Sequence, residues 1–186
     1  MNLLSFPKLI FYSDAVWPEL ERLRLPLARF LTLVILPLSL LPPVMLYHAG
    51  SNYGEAFGIG FGSKPWGVIA SVFFFTELIT VLLMGWLIRQ VALSHKLQIS
   101  THDAFMLASI APIPMWLSSI CLLLPSIALD AFIAFVALAA GCGILYHGIL
   151  ALCHMQEEVS AAEITQTVLG AGIICWALLL VLIVAL

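Results

Sequence analysis

Five long apolar stretches, separated by short polar or proline-containing segments, dominate the chain. A transmembrane helix needs about 20 predominantly apolar residues to cross a hydrocarbon core of roughly 30 Å. By this criterion the sequence predicts five membrane-spanning helices, at 30–47, 66–88, 104–124, 127–150 and 165–186. Only Pro125 and Ser126 separate the third from the fourth, so these two are predicted to run antiparallel. The predicted fold is an all-α, polytopic bundle of five transmembrane helices.

Prolines interrupt the first and third predicted spans. In the first span Pro42 and Pro43 are expected to end or bend the helix. In the third span Pro112 and Pro114 each free a backbone carbonyl one turn earlier. Two interpretations of this helix break stay open. It lines a binding site, or its freed carbonyls accept hydrogen bonds from a neighbouring helix or from nearby serines. The serines at hand are Ser109, Ser118 and Ser119.

A short amphipathic helix is predicted before the first span. Ser13 can cap it, and four apolar residues at helical spacing share one face: Val16, Leu20, Leu23 and Leu27. This helix lies in the membrane interface or packs on the end of the bundle. The chain therefore divides into an N-terminal segment, 1–29, and a membrane domain, 30–186.

Composition and charge agree with a membrane protein. Hydrophobic residues make up 63% of the chain and charged residues 9%, against about 25% charged in soluble domains. A net charge of -3 gives no reason to expect a nucleic-acid partner. The expected partners are membrane lipids and either another protein or a second copy of the chain. No cofactor is implied.

The basic residues predict the orientation in the membrane, because lysine and arginine are retained on the cytoplasmic side. Four of them precede the first span and two, Arg89 and Lys96, lie between the second and third. Lys64 alone lies in a loop on the opposite side. The N-terminus is therefore predicted to be cytoplasmic, and Leu186 lies on the other side after five crossings.

Glu77 is the residue whose burial in the membrane costs the most free energy. It lies near the middle of the second span, where an ionised carboxylate costs at least about 2.5 kcal/mol. It is either a proton or cation site or a neutral acid hydrogen-bonded to another helix. Asp130, one turn into the fourth span, is expected to anchor the helix N-terminus at the interface.

Two weaker patterns lie on and after the fourth span. His147, His154 and Glu158 have helical spacing and form a possible metal half-site, or they mark a helix end in the headgroup region. Small residues at four-residue spacing, which permit close helix packing, are Ala137 with Gly141 and Ala139 with Gly143. No nucleophile with a base, nucleotide loop or paired carboxylates is present, so the sequence predicts a protein that is not an enzyme.

Three segments resemble the Yip (Ypt-interacting protein) family. The run RFLTLVILPLSLLPP at 29–43 is similar to the family's first span, DAFMLASIAPIPMWL at 103–117 to its proline-bearing third span, and LYHGI at 145–149 to its fourth. The resemblance implies five spans, a cytosolic N-terminus and a C-terminus on the other side. It also implies association with Rab-type GTPases, vesicle traffic and membrane shaping in the eukaryotic members.

This sequence departs from those members in its short N-terminal segment and in lacking their acidic, tyrosine-containing motif. The resemblance is to the bacterial branch, which implies a protein of the bacterial inner membrane with a periplasmic C-terminus and no catalytic residues. The first functional hypothesis is a non-enzymatic membrane scaffold that engages a protein partner or lipid. The alternative is a small proton- or cation-coupled transporter or channel in which Glu77 titrates.

Overall fold

A computed structural model describes residues 26–153 and 158–185 of the chain. All regular structure in this part is helical. Five segments are long and apolar enough to cross a membrane, and they are numbered here as the first to fifth span: Leu27–Ala56, Trp66–Ser94, Thr101–Leu123, Ile127–Leu152 and Ala161–Val181. The predicted all-α, five-span architecture is therefore confirmed. The predicted amphipathic helix after Ser13 lies outside the described residues.

The first span is built from three short helical pieces and one longer helix, which is kinked at Tyr53. They are an α-helix at Leu27–Phe30, a π-helix at Leu31–Ile35, and α-helices at Leu36–Ser39 and Leu41–Phe57. Pro42 and Pro43 lie in the first turn of the last piece, where a backbone N–H has no partner within the helix, so they begin a helix. The predicted end or bend of the helix at these prolines corresponds to the turn at Leu40, whereas the predicted end of the span at residue 47 was wrong, because the span continues to Ala56.

The third span is broken at its prolines, as its sequence indicates. An α-helix at Thr101–Ile110 is followed by a turn, a short helix at Ile113–Ser118 and a 3₁₀ helix at Ser119–Leu123. The Ser100 hydroxyl caps the first helix by accepting a hydrogen bond from the Asp103 backbone N–H at 3.1 Å. The second and fourth spans are single helices, Trp66–Ser94 and Ile127–Leu152, and the fifth lies within the helix Glu158–Ala185.

Four of the spans form a ring. The second span packs against the third and the fifth, and the fourth span packs against the same two. The first span lies outside this ring, against the second span and the end of the third. The second and third spans approach each other closely at Gly85, where an added Cβ would lie 2.7 Å from the Phe105 ring. A glycine is therefore required there for the second and third spans to meet.

Packing within the ring is much tighter at one end. This is the end where the second and fourth spans finish and the third and fifth begin. Its interior side chains are almost completely buried: Ile88, Leu107, Ile149, Ile164 and Val168. Toward the other end the same helices separate, and much of the fourth and fifth spans is exposed to the surroundings. In the predicted orientation the tightly packed end is cytoplasmic.

Candidate functional site

A cavity of about 390 Å³ lies between the helices; the second to fifth spans form most of its wall, and Pro42 and Leu46 of the first span complete it. The second span contributes one helical face to its wall, because the lining residues recur at three- and four-residue intervals from Phe73 to Ile88. At the tightly packed end the wall is formed by buried Leu145 and Val168. At the other end Ile173 and Leu180 of the fifth span are each 42% exposed. The cavity is therefore closed at one end and open toward the other.

Glu77 belongs to the wall of this cavity. Its side chain is 8% exposed, and its Oε2 atom accepts no hydrogen bond from the described part of the chain. Trp116 of the third span, which is 2% exposed, is a neighbour of this carboxyl group in the cavity wall. Glu77 lies 11 residues from the start of its helix, or about 16 Å at 1.5 Å per residue. It is therefore a deep carboxyl group that lacks a partner for one oxygen.

Asp130 also lines the cavity, but near its open end. It lies three residues beyond the start of the fourth span, about 5 Å along the helix axis. Both of its carboxyl oxygens are buried, and neither has a hydrogen-bond partner among the described residues. Anchoring of the helix N-terminus at the interface by Asp130 stays a prediction. Its place in the cavity wall brings it into the same site as Glu77.

The break in the third span forms a further part of the wall. Ala111 and Pro112 line the cavity at the turn between the two helices. The three nearby serine hydroxyls donate to carbonyls of their own turns, those of Phe105, Met115 and Trp116, at 2.6–2.7 Å. They do not bond the carbonyls that precede Pro112 and Pro114 by one turn. The ligand-site interpretation of this break stays a prediction, now with a cavity beside it.

The small residues of the fourth span have different surroundings. Ala137 is buried, and a Cβ added at Gly141 would lie 3.0 Å from the Ala111 carbonyl oxygen, which brings this helix close to the break in the third span. An added Cβ at Gly143 meets no described atom within 4 Å. Gly141 thus allows close packing within the chain, whereas Gly143 has open space beside it.

The predicted metal half-site is only partly described. His147 lies near the end of the fourth span, where its ring contacts Tyr146 edge-on at 5.4 Å. His154 lies outside the described residues, and of Glu158 only the helical backbone is described. Among the described side chains no group of three histidine, cysteine or acidic residues could hold a metal ion. The metal site at these three positions stays a prediction.

Two tryptophans of the cavity wall were missed in the sequence analysis. Trp116 and Trp176 lie in apolar stretches, where an aromatic residue gives no sign that it faces a cavity. One signal was available for Trp116, because it follows Pro112 by four residues and so shares its helical face. Trp176 has no comparable signal.

The five long apolar helices define a polytopic, all-α membrane protein. The Yip1 domain model matches residues 8–186 of the chain. The chain therefore belongs to the Yip1 domain family, and the resemblance seen in its sequence is confirmed. No curated protein and no solved structure matches this chain.

Proposed function

We propose that this chain is a non-enzymatic protein of the bacterial inner membrane that engages lipid through the cavity between its second and fifth spans. The observation that carries the proposal is the cavity itself, about 390 Å³ in volume and closed at one end. Ligand sites typically occupy 300–1,000 Å³ and are largely apolar with a few polar groups. In the predicted orientation the N-terminus is cytoplasmic, and the open end lies on the periplasmic side.

The wall is suited to a hydrocarbon chain. Apolar side chains from all four ring helices line it, among them Val81, Leu138 and Leu169. A chain that left the bilayer to enter this cavity would exchange lipid contacts for protein contacts at little cost. The exposure of Ile173 and Leu180 leaves the open end in contact with the membrane interior.

Two glycines on the fifth span provide a matched test of this proposal. Gly172 lines the cavity, and an added Cβ would contact only the mobile end of Met84, at 3.6 Å. Gly170 is exposed and an added Cβ there contacts nothing within 4 Å. Gly172→Leu should therefore fill the cavity without distorting the backbone, and Gly170→Leu makes the same change outside it.

The assay is photocrosslinking of a diazirine-bearing long-chain alcohol to the full chain in membranes, with the labelled peptides mapped by mass spectrometry. We expect labelling on the cavity-lining peptides of the unmodified chain and of Gly170→Leu. In Gly172→Leu this labelling should fall at least fivefold. Equal cavity labelling in both variants, or no cavity labelling in any of them, would refute the proposal.

A second candidate function is proton- or cation-coupled transport with Glu77 as the titrating group. It is favoured by the unpartnered Oε2 of Glu77 in a cavity between helices, one of them broken. Reconstituted vesicles would then show a flux driven by a proton or cation gradient that Glu77→Gln abolishes. Vesicles without flux under any gradient would eliminate this candidate.

A further inference from the structure

The cavity is lined by acidic side chains and, among the described residues, by no basic side chain. Glu77 and Asp130 both line it, and no lysine, arginine or histidine is among its described lining residues. Three of the four carboxyl oxygens of this pair are buried without a hydrogen-bond partner in the described part of the chain. Carboxyl groups in a membrane are normally paired or hydrated, since an unpartnered one is costly. The complementary partner for both groups is a cation.

The hydroxyl groups of the wall already donate hydrogen bonds within their own helices. The Thr80 hydroxyl donates to the Thr76 carbonyl at 2.9 Å, and the Ser118 and Ser119 hydroxyls donate to carbonyls of their own turns. An inorganic cation such as calcium needs six to eight oxygen ligands. Two carboxyl groups separated along the cavity are better suited to one charged nitrogen with an apolar body, because the rest of the wall is apolar.

Aromatic residues of the cavity wall also favour an organic cation over an inorganic one. Trp116 and Trp176 both belong to the wall, and the face of an indole ring attracts organic ammonium groups. Trp116 is also the neighbour of Glu77, so an aromatic ring and a carboxyl group meet at the deep position. A carboxyl group beside an aromatic ring suits an organic ammonium ion better than a hydrated metal ion.

From these observations we infer that the cavity binds a lipophilic organic cation, namely an amine or quaternary ammonium attached to a hydrocarbon chain. Glu77 is the counter-charge at the deep position, and Asp130 attracts the cation at the open end. The inference rests on the proposed function and deepens it, because it states which head group the chain-binding cavity prefers. A membrane-derived long-chain amine and a foreign aromatic cation share this chemistry.

The test compares ligands that have the same chain and different head groups. Radiolabelled octadecylamine, octadecanol and octadecanoate are bound to the purified full chain in dodecyl maltoside near neutral pH. We expect the amine to bind at least tenfold more tightly than the alcohol, and the alcohol more tightly than the carboxylate. Tetraphenylphosphonium forms a fourth arm: its competition with the amine would show that the cation needs no alkyl chain, and its failure to compete would show that a chain is required. Failure to compete therefore supports a ligand that carries a chain, and competition would overturn the requirement for one.

Variants then assign the preference to individual carboxyl groups. Glu77→Gln should reduce the ratio of amine to alcohol affinity to near one, and Asp130→Asn should reduce it by a smaller factor. Glu163→Gln is the matched control, because Glu163 is exposed on the fifth helix outside the cavity and should leave the ratio unchanged. Retained octadecanol binding in Glu77→Gln shows that the variant is folded. If that variant does not fold, Asp130→Asn carries the test.

The outcomes separate this inference from the proposed function. Equal affinities of amine and alcohol in the unmodified chain would overturn the inference and leave the lipid-binding cavity in place. A preference for the amine that survives both carboxamide substitutions would also overturn it. Failure of every long-chain ligand to bind, or binding unaffected by Gly172→Leu, would instead overturn the proposed function.

Discussion

Replacing Glu77 by methionine should make the folded bundle more stable. Glu77 is almost completely buried and one of its carboxyl oxygens has no hydrogen-bond partner among the described residues. Methionine has a similar length, is apolar and adapts to irregular space. The substitution therefore removes an unsatisfied polar group from the membrane interior without leaving a large void.

The magnitude follows from two opposing contributions. A buried polar atom without a partner costs about 1–3 kcal/mol, and the substitution recovers this cost. The contact between the carboxyl group and Trp116 is lost, and we set this loss at no more than that of a typical hydrogen bond, about 0.5–1.5 kcal/mol. The expected net effect is an increase of roughly 1 kcal/mol in the free energy of unfolding.

The assay is reversible unfolding of the purified protein in mixed micelles of mild detergent and SDS, followed by circular dichroism. Thr80→Val is the control on the same wall of the second span, because the Thr80 hydroxyl is already bonded and its removal should bring no gain. A Glu77→Met variant less stable than the unmodified chain by 1 kcal/mol or more would refute the reasoning. In that case the carboxyl group is a structural hydrogen-bonding residue.

Three further predictions test the packing, a thiol and the topology. Gly50→Ala should destabilise the fold by about 1–3 kcal/mol in thermal unfolding, because the added Cβ would lie 2.0 Å from the Trp66 ring. The ring N–H donates to the Phe61 carbonyl at 2.8 Å, which holds the ring in place, and unchanged stability would contradict this contact. Burial raises the pKa of the Cys153 thiol to about 11. In a variant that keeps Cys153 as its one cysteine, the rate of maleimide labelling should therefore rise about tenfold per pH unit between pH 8 and 10. A labelling rate that levels off near pH 9 would contradict the raised pKa. Ile59→Cys and Gln98→Cys, both at exposed positions, should react with an impermeant maleimide from the periplasmic and cytoplasmic sides respectively, and labelling of both from one side would exclude the predicted topology.

Hydropathy predicts the spans of this chain well because membrane insertion depends on the length of an apolar stretch. The second span begins at Trp66, as predicted, and the fourth begins at Ile127. The same reasoning placed the far end of the first span too early, at residue 47, because Pro42 and Pro43 were expected to end or bend the helix. They lie in the first turn of the helix Leu41–Phe57, which continues the span to Ala56.

The site was predictable only in part. The cost of a carboxyl group in the membrane singles out Glu77 from the sequence, whatever surrounds it. The cavity around Glu77 depends on which helices are neighbours. So does the presence of Asp130 and Trp176 in its wall. The apolar pattern of these spans carries little directional information, since nearly every face of each helix is hydrophobic. Which helices are neighbours is therefore decided by close packing, as at Gly85 and Gly141. The apolar pattern does not show which glycines make such contacts.

The uneven packing of the ring favours binding over transport. A transport path must open to each side of the membrane in turn, whereas this cavity ends at Ile88, Leu145 and Val168, all at most 5% exposed. These residues belong to the main buried core, which also holds the first span against the ring. Opening the closed end would therefore disrupt the best-packed part of the bundle. A ligand that enters and leaves through the open end needs no such rearrangement, and a fixed carboxyl group at the deep position then acts as a counter-charge.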